Sequence, residues 1–232
     1  MYFRFFSRLF LSASLVLLIS GCALGALDKQ AQSIDLSKES VVILSLDLTN
    51  EFKPDSLASH LGMQVKKIET DGTPSKSALI WSMGLVEPVS KIALASKQIP
   101  AGSYTIEKLV GVLGSPLFAG NLDFSVDAPF NVLPNSVIYL GHVRLVNKER
   151  IGKDDQASGL AIPLIPQAVH GMGNGTLNVK LEDRYDSIVL LLKQDYPALK
   201  NLTIVRAPLA SMTLERSSGS KAPIVKVMLS QP

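Results

Sequence analysis

Cysteine is all but missing from this chain: its 232 residues include one, Cys22. No intrachain disulfide can form, so stability must come from a buried apolar core rather than covalent staples. Histidine is nearly as scarce, with only His60, His142 and His170. No two of them stand at the i, i+4 spacing of a helical metal pair and no cluster of Asp or Glu surrounds them, so neither a metal nor any other cofactor is expected. A surplus of one charge sign is also missing. Lys and Arg number 23 against 20 Asp and Glu, and Arg4 and Arg8 lie in the first ten residues. The remainder is close to balance, which excludes the basic stripe of a nucleic-acid partner. Nor is there a spanning segment in the opening apolar run: residues 9–20 fall short of the roughly 20 apolar residues a membrane helix needs.

That short run has a different meaning. Two early arginines, about a dozen mostly apolar residues and a small-residue exit describe a secretory signal peptide. Its end, Ile19-Ser20-Gly21-Cys22, resembles the lipobox of bacterial lipoproteins: an aliphatic residue, two small residues and the cysteine. The resemblance implies cleavage between Gly21 and Cys22, a diacylglycerol on the Cys22 sulfur, and fatty acyl chains that hold the protein to a membrane. One acyl chain binds a bilayer only marginally, whereas two or three anchor it at about 0.8 kcal/mol per buried CH₂. If Cys22 is acylated, thiol catalysis and Cys-based zinc or Fe–S sites are excluded. Ala23 replaces the Asp that commonly retains lipoproteins at the inner membrane, so the resemblance implies an outer-membrane, periplasm-facing location.

The resulting organisation is a signal peptide over residues 1–21, a flexible polar tether over 22–40 and a folded β-sandwich domain over 41–232. Within the domain, "SVVILSLDLTN" alternates as a half-buried strand does, and "GMQVKKIETD", "SALIWSMG" and "SKIALASKQI" continue the pattern. Pro100-Ala101-Gly102 and Pro134-Asn135 read as turns between strands. The period changes once. Tyr185, Ile188, Val189, Leu192 and Tyr196 recur at three- and four-residue spacings, predicting one helix near 184–195. Asp183 is placed to N-cap that helix, Asp186 sits in its first turn, and Pro197 stops it. "NLTIVRA" and a hairpin with its loop at 217–223 complete the chain. The polar break "NKERIGKDDQASG" is short, so the C-terminal part is expected to belong to the same unit.

Many short strands with Pro/Gly punctuation predict a mainly β, antiparallel sandwich with one packed helix. At Ile99-Pro100-Ala101-Gly102-Ser103-Tyr104 and Val132-Leu133-Pro134-Asn135-Ser136-Val137-Ile138-Tyr139-Leu140 the chain resembles the Ig-like sandwiches of the transthyretin-like and carboxypeptidase-regulatory-like families. In those, a Pro-x-Gly-x-Tyr turn opens one strand and a later Pro-turn leads into an aromatic-containing strand. The resemblance covers about residues 41–146 and implies a fold and an envelope setting, with no catalytic residue to carry over. Asn135 stands where such domains often have Gly, and Asn tolerates the same positive φ.

Motifs of chemistry are mostly incomplete. "HGMGNGT" is glycine-rich but lacks the Lys-Ser/Thr ending of a phosphate loop, and the alternating "LNVKLED" after it predicts a strand where a phosphate loop needs a helix. Ser218-Gly219-Ser220-Lys221 matches Ser-x-x-Lys only formally, because it lies in a hairpin loop rather than on a helical turn. His142 falls inside a strand and reads as a satisfied histidine. Asp183, Asp186 and Asp195 are the carboxylates that acid–base chemistry or Ca²⁺ binding would use, with capping and helix-dipole roles as the simpler reading.

The functional expectation is a lipid-anchored, non-catalytic binding or assembly module of the bacterial envelope, taking a protein or glycan partner. The alternative is a hydrolase of envelope polymers whose site assembles only in space. The contact surface expected for a partner is the loop over 148–172, with the apolar residues Ile162, Leu164 and Ile165. A second reading of that patch is that it folds back over the end of the sandwich.

Overall fold

Alternating apolar residues put most of this chain into strands, and the computed structural model describes residues 27–56, 58–87, 92–115, 118–152, 155–159, 171–214 and 225–229. The strands are β1 (Ser40–Asn50), β2 (Ala58–Ile68), β3 (Pro74–Glu87), β4 (Ile92–Ile99), β5 (Gly102–Ser115) and β6 (Phe118–Val132). They continue with β7 (Val137–Glu149), β8 (Gly175–Glu182), β9 (Ile204–Arg206), β10 (Ser211–Leu214) and β11 (Val225–Met228). One α-helix, α1 (Tyr185–Asp195), is described, followed by a short 3-10 turn (Pro197–Leu199). The protein is therefore mainly β with a single packed helix among the described residues.

Hydrogen-bonded neighbours follow the order β11-β10-β6-β5-β2-β3-β4-β1-β7-β8, with β9 beside β7. The long strand β3 joins two walls: its first part pairs with β2, and Gly84, Leu85 and Glu87 pair with β4. The inward faces of β2, β3, β5 and β6 meet those of β1, β4, β7 and β8 in one core, which includes Leu44, Leu46, Met63, Trp81, Leu109, Phe124, Val143 and Leu145. Leu177, Val179 and Leu181, from beyond the polar break after β7, belong to the same core.

Pro100-Ala101-Gly102 does not close a hairpin. β4 pairs with β1 and β3, whereas β5 pairs with β2 and β6, so the turn carries the chain from one wall to the other. Tyr104 pins that crossing: its hydroxyl donates to Pro100 O at 2.9 Å, and its ring stacks on Phe130 with centroids 5.7 Å apart. The Pro-x-Gly-x-Tyr pattern thus has a packing reason. Asn135 takes φ +53°, the conformation its turn requires.

Three expectations about the sheet and the tether need correction. The sheet is not wholly antiparallel, because β1 pairs β7 in parallel and β9 pairs β7 in parallel. β1 is not half-buried: Val41 through Leu46 are all buried, because its second face is covered as well. That second face carries Val41, Ile43, Ile92, Leu94, Val137 and Tyr139 and packs under Ile188, Leu192, Tyr196, Leu199 and Ile204. Finally, the described part of the expected tether, residues 27–39, is docked rather than free. Leu27, Ile34 and Leu36 pack on this second cluster, Leu27 N–H reaches Ser96 Oγ at 3.3 Å, and Lys29 pairs with Asp195 at 3.1 Å.

The helix has the apolar face its spacing predicts, with Ile188 and Leu192 buried. Its cap differs from expectation. Arg184 occupies the N-cap position without a side-chain cap bond, while Asp183 Oδ1 accepts from Tyr185 N–H at 3.2 Å.

Candidate functional site

Three polar groupings could bear function, and each is positioned by a departure from regular strand geometry. The first lies between β1 and β7. Their parallel register steps from Ile43↔Tyr139 to Ser45↔His142, so β7 holds one extra residue there. Gly141 absorbs it at φ +96°, where a side chain would also meet Glu182 O and Pro208 at 3.3 Å. The bulge turns His142 to the face that Tyr139 occupies, and a network closes. Ser45 Oγ lies 3.0 Å from His142 Nδ1 and 2.9 Å from Tyr139 OH. His142 Nε2 lies 3.3 Å from Asp47 Oδ2.

Serine, histidine and aspartate in a row invite comparison with a hydrolytic triad, but the order of exposure is reversed. Ser45 has 0 % exposure and His142 1 %, whereas the Asp47 side chain is 19 % exposed. A substrate carbonyl must reach the hydroxyl, and here the hydroxyl is the buried end. Burial pushes the Tyr139 phenol up to about 12, opposed by its bond to Ser45 and reinforced by the Asp183 charge. The phenol therefore stays protonated at neutral pH, and the array fastens β7 to β1. His142 is the satisfied histidine that its strand position predicts.

The other residues singled out by sequence do not converge. Asp183 Oδ2 binds Arg206 Nε at 2.6 Å, and this bond and the Asp183 charge raise the Arg206 guanidinium above its ordinary value. Asp195 pairs with Lys29, and Asp186 sits in the first turn of α1. His60 is exposed and borders a shallow trough on the outer face of β2, β3, β5 and β6. Among the described residues no group of His, Cys, Asp and Glu could hold a metal, and no helix is long and apolar enough to cross a membrane. Cys22 with its lipobox and cleavage site at Gly21, His170, Ile162, Leu164, Ile165 and Ser218 to Lys221 lie outside the described residues.

The second grouping is a buried polar knot at the root of the loop after β7. Asn147 follows Val143 and Leu145 on the inward face and has 0 % exposure. Its Nδ2 donates to Asn50 Oδ1 at 2.9 Å and to Gly171 O at 3.4 Å, and its Oδ1 accepts from Ser158 Oγ. Main-chain bonds complete the anchor: Gly159 N–H to Met172 O at 3.1 Å and Arg150 N–H to Asn174 O at 2.9 Å. The glycines of "HGMGNGT" are needed for space here. Gly171, at φ +74°, lies against Phe52, and a Cβ on Gly175 would overlap Gly171 O and the Asn147 amide. The described part of that segment is packed rather than free: Gly171, Met172, Gly173 and Gly175 are buried. Sequence reasoning passed over Asn147, Asn50 and Ser158. The available signal was a polar residue falling in phase with the buried positions of an alternating strand.

The third grouping is a gap in the sheet beside that knot. β8 pairs with β7 on one edge; among the described residues its other edge meets the β10–β11 hairpin only at the isolated parallel bridge Leu181↔Leu229. At the opposite end Ser158 is inserted between two strands, its N–H donating to Gly175 O at 2.9 Å and its carbonyl accepting from Asp123 N–H at 3.0 Å. Between these points lies a cleft of about 250 Å³ with Phe124, Leu177, Val179, Leu214 and Val227 on its walls and Lys148, Asp155, Gln156, Thr176 and Asn178 around it.

Comparison with known proteins adds little. No protein-family model matches the chain, and no curated protein matches it. Among solved structures, the chain is similar to a leucine-rich repeat protein from Bacteroides thetaiotaomicron, at 18 % identity and a TM-score of 0.28. The match covers 47 % of this chain and 14 % of the other, so it spans a small part of that protein's length.

Proposed function

We propose that this protein is a lipid-anchored bacterial envelope protein, held through acylated Cys22 at the periplasmic face of the outer membrane, and that it serves as a non-catalytic binding or assembly module for a protein or glycan partner. Its fold we read as an Ig-like, transthyretin-like sandwich modified by the parallel β1–β7 pairing. The observation that carries the reading is the loop root. Asn147, Ser158, Gly159 and Met172 tie both ends of the segment bearing Ile162, Leu164 and Ile165 to buried strands. Rigid scaffolds that present a loop in this way are common recognition devices. The buried hydroxyl of Ser45 supports the non-catalytic side of the reading. The lipobox residues and Ala23 support the anchor.

The test is in intact cells. Cys22→Ala should leave the protein unprocessed or soluble; normal processing with unchanged membrane fractionation would sink the anchor. A photoreactive residue at Ile162 or Ile165 should crosslink one specific envelope component, and Leu164→Asp should abolish that crosslink without unfolding the chain. No crosslink, together with a hydrolytic turnover lost on Asp183→Asn or His142→Gln, would replace the binding module with an enzyme.

A further inference from the structure

The edge of β8 has an unusual hydrogen-bond ledger. Arg150 N–H bonds to Asn174 O, and in an antiparallel pair the bonding residues alternate, so the even-numbered residues of β8 direct their main-chain groups to β7. The odd-numbered ones face the other way. Gly175 does so toward Ser158 and Leu181 toward Leu229. Between them, the N–H and C=O of Leu177 and of Val179 point into the cleft. Among the described residues no strand pairs with them there. Yet each of these residues is only 4 % exposed. Buried main-chain groups call for a partner, because leaving one unmade costs about as much as a lost hydrogen bond.

We propose that this cleft is a slot for an added strand: a short, uncharged, alternately apolar segment of a partner protein, hydrogen-bonded to the main chain of Leu177 and Val179. The proposal deepens the binding-module reading and depends on it. The molecule already shows the mode of insertion, since Ser158 bridges β8 and β6 through its own backbone. A segment entering beyond Ser158 would continue that line and set an apolar side chain on Phe124, Leu214 and Val227. Main-chain bonds supply affinity in such strand addition, and the side-chain pocket supplies selectivity. The charges at the rim are already engaged, Lys148 with Glu51 at 3.5 Å and Asp155 with Gly152 N–H at 3.1 Å, which matches a segment without charge. Among the described residues, the chain beyond Ser158 turns away from the slot, with Gly159 N–H bonded to Met172 O.

The experiment is residue-resolved amide exchange by NMR on the full mature chain, with a blocked heptapeptide of alternating Thr and Val as the probe. In the free protein the amides of Leu177 and Val179 should exchange faster than those of Asn178 and Lys180, which bond to β7. The peptide should slow the first pair by at least about tenfold and leave the second pair unchanged. Val227→Trp should abolish that protection; Thr176→Trp, at the rim, is the second variant should the first not fold. Two results would overturn the proposal. One is protection of Leu177 and Val179 in the free chain equal to that of Asn178 and Lys180, meaning that the chain fills its own slot. The other is no peptide-dependent change at millimolar concentration in a folded protein. Neither result touches the Cys22 fractionation or the Ile162 crosslink, so failure of the slot is distinguishable from failure of the binding-module reading.

Discussion

Replacing Asn147 with Ala tests how firmly the loop root is held. The amide makes two donor bonds, to Asn50 Oδ1 and Gly171 O, and takes one from Ser158 Oγ. Asn50 Oδ1 keeps the Lys53 N–H at 3.0 Å and is not orphaned. The Ser158 hydroxyl loses its acceptor in a site with 0 % exposure, and Gly171 O loses its side-chain donor. With about 1–3 kcal/mol for each buried group left unpaired, partly relieved by relaxation, Asn147→Ala should cost about 2–4 kcal/mol. At an m-value of about 2 kcal/mol per molar urea, the unfolding midpoint should fall by about 1–2 M. Ser158→Ala alone should cost about 1 kcal/mol, and less in the Asn147→Ala background, because there it removes an orphan. The expected coupling in the double-mutant cycle is about 1–2 kcal/mol. A cost below about 1 kcal/mol for Asn147→Ala, or strict additivity of the two changes, would refute the knot as the element that holds this loop.

Two further outcomes follow from the second cluster. Tyr139 ionises near 12 in the fold and near 10 in the unfolded chain. Its contribution is therefore complete below pH 10 and is lost as pH rises through 12, with a slope approaching about 1.4 kcal/mol per pH unit. Tyr139→Phe should flatten that alkaline limb relative to wild type in urea melts at pH 9 to 12, and parallel limbs would show that Tyr139 is not the group responsible. Leu192→Ala removes a side chain with 0 % exposure from beneath α1 and should destabilise by about 2–5 kcal/mol, measured by thermal or urea unfolding. A cost under about 1 kcal/mol would mean that α1 does not cover the sheet as described.

Much of the local structure was legible from residue spacing. The alternation in "SVVILSLDLTN" and "LNVKLED" located β1 and β8, because side chains on a strand face opposite sides with period two. The spacing of Ile188, Leu192 and Tyr196 located α1, since a helix repeats every 3.6 residues. Turn chemistry at Pro100 and Asn135 was readable for the same local reason: φ preferences belong to the residue itself. The run Val41-Val42-Ile43-Leu44 even carried a sign of two-sided burial, in that consecutive apolar residues suit a strand covered on both faces.

What lay beyond local pattern was which strands pair, and everything the pairing creates. β1 and β7 are about a hundred residues apart, and nothing within either segment announces that they run parallel or that Gly141 bulges to bring His142 beside Ser45. The docking of Leu27, Ile34 and Leu36 depends on a surface that exists only after α1 has packed. The Asn147 knot joins residues from four stretches of chain, and the outer edge of β8 is defined, among the described residues, by what fails to pair with it. Sequence by itself determined the elements and their buried faces, because rotamers, φ preferences and periodicity act within a few residues. Only the tertiary structure decided partners, registers and the placement of polar groups, because those depend on contacts whose loop-closure entropy and burial are settled over the whole chain at once.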